Sequence, residues 1–261
     1  MAFLRIQEVT KNYEGVKALD RVSFEVRQGT IKGLMGPNGA GKSTLFHLIS
    51  GIEKPDLGKI FFKEKEITSL KPHEISLMGI GRTFQTLQVW GNMTVVENVM
   101  TAMHARLGGG VLFSGLWLPW VKREEDRAMK EAKEILEFLG LFGRWKWFAG
   151  QLTYSEQRIL EIGRALGTRP ELLLLDEPAA GLTYGEAKDL SVRLDQLRKK
   201  GITILLIEHH MGMMMEIADE IVVLSNGILI AEGTPEQIRT HPRVIEAYLK
   251  RGREGCSESE N

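Results

Sequence analysis

Val22, Phe24 and Val26 alternate with polar residues, the period-two pattern of a strand with one buried face. Ile31-Lys32-Gly33-Leu34-Met35 predicts a second strand that leads straight into a glycine-rich turn, and Lys42 to Ile49 predicts a helix. Ile60-Phe61-Phe62 predicts a short strand, and Ile80, Arg82 and Phe84 lie near another. From Thr94 to Leu139 the pattern changes. Thr94 to Arg106 reads as a helix with Val95, Val99 and Met103 at four-residue spacing. Lys122 to Leu139 reads as a longer charged helix with Ile135, Phe138 and Leu139 on its apolar side. Between them lies an apolar stretch, Leu107 to Val121, and no β pattern interrupts this middle region, which predicts a helical subdomain.

The alternation of strands and helices then resumes. Leu172 to Leu175 is a continuous apolar run, as in a strand buried on both faces. Tyr184 to Lys199 is an amphipathic helix with Leu190, Leu194 and Leu197, and Ile202 to Ile207 is another buried strand. Ile221 to Leu224 and Ile228 to Ala231 flank Asn226-Gly227, a tight-hairpin signal. Thr234-Pro235-Glu236-Gln237 starts a helix with a cap, a proline at the first helical position and a capping-box glutamine. Residues 251–261 are expected to form a flexible tail.

Composition narrows the function classes. The 261 residues carry 34 basic and 34 acidic side chains, a net charge of zero, which argues against a general nucleic-acid binder. The single cysteine, Cys256, cannot form an internal disulfide. No signal-peptide pattern stands at Met1 to Glu8, and Leu107 to Val121 is too short and too interrupted by glycine and proline to span a bilayer. All five tryptophans fall between Trp90 and Trp147.

The candidate chemistry centres on Gly36-Pro37-Asn38-Gly39-Ala40-Gly41-Lys42-Ser43, a full match to G-x-x-x-x-G-K-[ST] with a strand before it and a helix after it. Glycines let the backbone curl so that successive N–H groups face an anion, and the helix points its positive end at the same place. Lys42 adds charge for the terminal phosphates, Ser43 offers a hydroxyl to Mg²⁺, and Thr44 completes the nucleotide-binding run from Asn38 through Gly39, Ala40 and Gly41. Leu172 to Leu175 ends in Asp176-Glu177, placing two carboxylates at a strand end: Asp176 to hold Mg²⁺ and Glu177 to orient and polarise an attacking water.

These residues, with Gln85, Leu152-Thr153-Tyr154-Ser155-Glu156-Gln157 and His209, stand in the order found in ATP-binding-cassette transporter ATPases, which the chain resembles over nearly its whole length. It is most similar to the ATPase subunits that energise bacterial uptake of branched-chain, hydrophobic amino acids. Gly81-Arg82-Thr83-Phe84-Gln85 and Asp176 to Leu182 are the more subfamily-specific stretches. The resemblance implies an α/β P-loop NTPase core, with a mixed, mostly parallel sheet flanked by helices, an antiparallel β subdomain and an inserted helical subdomain. A single domain then covers 1–250, with 1–89 and 168–250 as the nucleotide-binding core and 90–167 as the helical subdomain.

The resemblance also implies site roles. Tyr13, with Val16 beside it, matches the aromatic that stacks on adenine, although alone it reads as a surface tyrosine. Gln85 matches the glutamine that touches Mg²⁺ and water, and His209 the histidine that contacts the γ-phosphate, with His210 as its neighbouring rival. The signature segment, Thr153, Tyr154, Ser155 and Glu156, would close on the nucleotide of a second subunit. Ser155 stands where glycine is usual: its side chain either crowds the phosphate or replaces a lost contact, and slower closure is expected. Thr153-x-x-Glu156 is also a capping box. The Met211-to-Met215 cluster reads as adaptable packing.

The implied activity is ATP hydrolysis, with ATP and Mg²⁺ bound, at the cytoplasmic face of the inner membrane. The implied partners are a second ATPase subunit (homo- or heterodimer), membrane-spanning permease subunits and, indirectly, an extracytoplasmic solute-binding protein, with no nucleic acid. The competing functions are the same machine with another cargo, such as urea or a lipid, and a soluble non-transport regulator. Trp117 and Trp120 in the 107–121 insert either pack inside the subdomain, the favoured expectation, or dock on the membrane partner.

Overall fold

The computed structural model describes residues 2–104, 119–209 and 211–257. Trp117 and the side chain of Trp120 lie outside the described residues, as does His210. The chain forms two compact units, Met1–Ile75 with Leu194–Asn261, and Ser76–Arg193.

In the first unit, β1 (Ala2–Tyr13), β2 (Val16–Arg27), β3 (Ile31–Met35), α1 (Lys42–Ile49), β4 (Leu57–Phe62), β5 (Lys65–Glu66) and α2 (Pro72–Leu77) follow in order, α2 running into the second unit. β1, β2, β4 and β5 pair antiparallel in the order β2-β1-β4-β5. Val22, Phe24 and Val26 are buried while Ser23, Glu25 and Arg27 face out, as the period-two pattern requires of a half-buried sheet. β1, which no clean alternation announces, bends through several register shifts against both neighbours.

The second unit holds β6 (Ile80–Arg82), α3 (Val95–Met103), α4 (Pro119–Phe138), α5 (Tyr154–Gly167), β7 (Leu172–Asp176) and α6 (Tyr184–Lys199), whose last residues return to the first unit. Val95, Val99 and Met103 bury one face of α3 as their spacing predicts. On α4 the buried row is Ala128, Ala132 and Leu136; of the expected stripe of Ile135, Phe138 and Leu139, Leu139 is buried and Ile135 packs half-buried against the same core, while Phe138 stays half-buried. Small residues face the core here because the three helices approach closely. A side chain at Gly163 of α5 would meet Leu139 at 3.0 Å, and one at Gly167 the Val99 carbonyl at 2.9 Å. The expected helical subdomain, 90–167, falls inside this unit, which also contains β6 and β7.

The chain then completes the first unit with β8 (Thr203–Ile207), α7 (Met211–Ile217), β9 (Glu220–Ser225), β10 (Ile228–Gly233), α8 (Pro235–Thr240) and α9 (Pro242–Ser257). β3 lies parallel between β8 and β9, and β10 closes antiparallel on β9, so the sheet is mixed. Asn226 and Gly227 make the hairpin turn with φ of 48° and 76°, and Thr234 and Gln237 form the expected capping box. The backbone of residues 251–257 continues α9, within the stretch expected as a tail. Met213 and Met214 are buried, and Met214 packs against Gly33 of β3, where a Cβ would meet its sulfur at 2.3 Å. Among the described residues no helix is long and apolar enough to cross a membrane.

Candidate functional site

In the first unit, β3 delivers the chain into the 36–43 loop and α1 takes it out. Gly36 has φ of 146°, and a Cβ there would lie 2.2 Å from the Leu224 carbonyl oxygen. Gly41, at φ of 100°, precedes α1 in a left-handed conformation and would meet the Ala18 carbonyl at 2.5 Å. Both positions therefore demand glycine on conformation and on space. Lys42 is buried and folds back over the loop, its Nζ donating to the carbonyls of Gly36 at 2.7 Å and Pro37 at 3.1 Å. Its charge is thus held over the loop, while Ser43 is exposed and Thr44 half-buried in the first turn of α1.

Tyr13 ends β1 and pairs with Val16 across a tight turn, and both are exposed. The Tyr13 hydroxyl donates to Glu53 and is also hydrogen-bonded to the Thr44 side chain, which ties the ring to the start of α1. Burial, together with the Glu53 carboxylate, pushes the phenol up to about 12. His209 follows β8, and β8 is the parallel neighbour of β3 with Leu34 opposite Ile207. His209 and the glycine loop therefore leave adjacent strands at the same sheet edge, the carboxyl edge at which such sheets place ligands. The His209 N–H donates to the buried Glu208 carboxylate at 3.1 Å.

In the second unit, β6 and β7 run parallel with Arg82 opposite Leu174. Thr83 extends the pairing: its N–H donates to the Leu174 carbonyl at 2.9 Å, and its hydroxyl accepts from the Asp176 N–H at 3.2 Å. Asp176 is 2% exposed, with the Arg82 guanidinium 3.7 Å from its carboxylate. Burial pulls Arg82 below its ordinary pKa, and the Asp176 charge opposes that pull. Glu177 sits at φ of 51°, a left-handed conformation that costs a non-glycine residue about 1–3 kcal/mol. Gln85 Nε2 donates to Glu177 Oε1 at 3.4 Å, so the two residues that sequence order separates by a subdomain meet.

The start of α5 is capped as the Thr153-x-x-Glu156 pattern predicts: Thr153 Oγ1 accepts from the Glu156 N–H at 3.3 Å, and Glu156 accepts from the Thr153 N–H at 3.0 Å. Glu156 also pairs with Arg144. The Tyr154 ring lies on Gly181, where a Cβ would stand 2.7 Å from it. Ser155 hydrogen-bonds the Glu186 carboxylate, which also accepts from the Thr183 N–H at 2.8 Å and hydroxyl at 2.7 Å. The Thr183 contacts and then Ser155 hold Glu186 below its ordinary range.

Sequence reasoning missed the residues that fix Gln85. Arg158 of α5 donates to the carbonyls of Phe84 at 3.1 Å and Gln85 at 2.6 Å, and to the Tyr154 hydroxyl at 3.0 Å. Glu161 accepts from the Phe84 N–H at 3.0 Å and from Gln88; burial raises its pKa although these bonds and two arginines oppose the shift. The available signal was an opposite-charge pair three residues apart on a helix whose other inward positions are apolar. Among the described residues no group of three or more His, Cys, Asp or Glu side chains could hold a metal. In the second unit the Gln85 amide and the Asp176 carboxylate, and in the first the Ser43 hydroxyl, each offer a hard oxygen of the kind Mg²⁺ takes.

Residues 19–180 match the model of the ABC transporter family, and residues 229–249 match that of the branched-chain amino acid ATP-binding cassette transporter. The high-affinity branched-chain amino acid transport ATP-binding protein LivG of Salmonella typhimurium is 43% identical over 248 residues, covering 94% of this chain and 97% of its own. Among solved structures, a nucleotide-free ATP-binding cassette from an ABC transporter superposes with a TM-score of 0.83 at 39% identity, over 95% of this chain and 99% of that one. A dimeric cassette in a post-hydrolysis state, bound to ADP and Pi, superposes with a TM-score of 0.75 at 25% identity, over 89% and 98% of the two chains.

Proposed function

Because the chain belongs to the ABC transporter ATPase family, we propose that it is the ATP-hydrolysing subunit of an importer for branched-chain, hydrophobic amino acids. One observation carries the cargo: the match of residues 229–249 to the branched-chain model, in a chain 43% identical to a branched-chain transport ATPase. Nothing in the nucleotide chemistry itself distinguishes leucine from urea or lipid, since the ATPase does not touch the cargo.

In this reading the backbone of 38–44 cradles the phosphates and Lys42 neutralises them. Ser43, Asp176 and Gln85 would hold Mg²⁺, which when bound would neutralise charge on the terminal phosphates. Tyr13 and Val16 take the base. Glu177, oriented by Gln85, positions the water for in-line attack, and His209 steadies the γ-phosphate. Thr153, Tyr154, Ser155 and Glu156 face the nucleotide of a second subunit, an arrangement supported by the dimeric relative. The chain works at the cytoplasmic face of the membrane through permease subunits. Trp90, Trp147 and Phe148, each about half exposed on the second unit, supply aromatic surface for that contact. An extracytoplasmic solute-binding protein delivers the cargo.

The test is reconstitution of the chain with the membrane subunits that co-purify with it. ATPase activity should need Mg²⁺, fall by about 10²–10³-fold in Glu177→Gln, and rise when leucine-loaded binding protein is added outside. Stimulation by a urea- or lipid-loaded partner instead would overturn the cargo.

A further inference from the structure

The phosphate loop is fastened at two points by the C-terminal part of the chain. Its leading N–H, that of Gly36, donates to the Tyr248 hydroxyl of α9 at 3.1 Å. At the other end, the Ala40 carbonyl accepts from the N–H of Gly227 at the β9–β10 turn, at 3.2 Å, and Gly227 in turn accepts from the Asp20 N–H at 2.9 Å. Gly36 has no room to drift toward β9, because the Leu224 carbonyl already lies where its Cβ would be. Tyr248 is 39% exposed; the desolvation at its hydroxyl raises its pKa and the Gly36 bond opposes the rise.

A loop that binds an anion through backbone N–H groups works only if those groups are aimed before the anion arrives. We propose that Tyr248 is a positioning residue for nucleotide: its hydroxyl anchors the entry of the phosphate loop, so that the C-terminal helix sets the loop's geometry from behind. This gives α9 a part in nucleotide affinity without contact to the nucleotide. The inference rests on the reading that the 36–43 loop binds ATP and ADP.

The experiment uses the full chain and Tyr248→Phe, which keeps the ring and removes only the hydroxyl, with the exposed neighbour variant Leu249→Ala as control. Titration with a fluorescent ADP analogue should give a dissociation constant about three- to tenfold higher for Tyr248→Phe and an unchanged one for Leu249→Ala. KM for ATP should rise by the same factor with kcat within about twofold of the wild type. The melting temperature without nucleotide should stay put while the rise on adding ADP shrinks. Equal affinity of Tyr248→Phe and wild type overturns the inference, and so does a lower melting temperature without any loss of affinity. A wild type that fails to bind the ADP analogue overturns the nucleotide reading itself, an outcome distinct from equal binding.

Discussion

The glycine loop of the first unit and the Gln85 region of the second are both made to hold loop backbone still, and they do it with opposite materials. The glycine loop is shaped by missing side chains: carbonyls of Ala18 and Leu224 press in where Cβ atoms would be. The Gln85 segment is shaped by long charged side chains, with Arg158 and Glu161 reaching from α5 to bond its N–H and C=O groups. Backbone-built geometry is stiff and tolerates no added atom. Side-chain-built geometry can be released by one proton or one rotamer, which suits a segment expected to report nucleotide state.

The contrast can be broken at either end. The largest effect should come from Gly36→Ala, which forces a contact of 2.2 Å and an unfavourable φ. A loss of about 4 kcal/mol or more in urea unfolding is expected, together with loss of measurable ADP binding. Arg158→Met should follow, costing about 3–5 kcal/mol, because Glu161 stays buried without its nearest cation. In that variant ADP affinity should move by less than about threefold, and an equally large affinity loss would erase the distinction between the two regions. Ser155→Gly removes the hydroxyl that helps hold the exposed Glu186 carboxylate below its ordinary range and should lower the melting temperature only slightly, and Ser155→Thr should retain that bond. A raised ATPase rate in Ser155→Gly would favour crowding at the signature over its use of the hydroxyl within the chain.

The smallest effect is on pH dependence. Burial raises Glu161 above the ordinary glutamate pKa, so the folded state holds its proton longer than the unfolded one. Stability then falls as pH rises through the window that begins near the unfolded value, and Glu161→Gln should lack that slope. The difference in melting temperature between wild type and Glu161→Gln should therefore shift in favour of the variant on going from pH 4 to pH 7. A flat difference would show that the pairing arginines compensate fully.

The same contrast explains what could be read in the sequence. The glycine loop, the Asn226-Gly227 hairpin and the capping boxes at Thr94, Thr153 and Thr234 are local: each is fixed by residues within a few positions. Buried strands such as Leu172–Asp176 declare themselves by composition. What stayed hidden depends on partners far along the chain. Lys32, in the middle of β3 and 2% exposed, is tolerated only because Glu220 and Glu232 reach it together with the Glu25 carbonyl. Arg158, Glu161 and Tyr248 act on loops more than seventy residues away. No local pattern marks such a residue, because its neighbours in sequence are not its neighbours in space.

The Asn226-Gly227 turn carries a practical consequence. Two-residue hairpin tips are ordinarily where a chain accepts insertions, tags or a cut for circular permutation. Here the Gly227 N–H is spent on the phosphate loop and its carbonyl on β2, and a Cβ on Gly227 would meet the Ala18 carbonyl at 2.7 Å. This turn is therefore a gauge of fixed length: lengthening it by a single residue would detune the phosphate loop from a distance. Fluorophores and affinity handles belong instead at the Gly201 turn, where the glycine has open space around it.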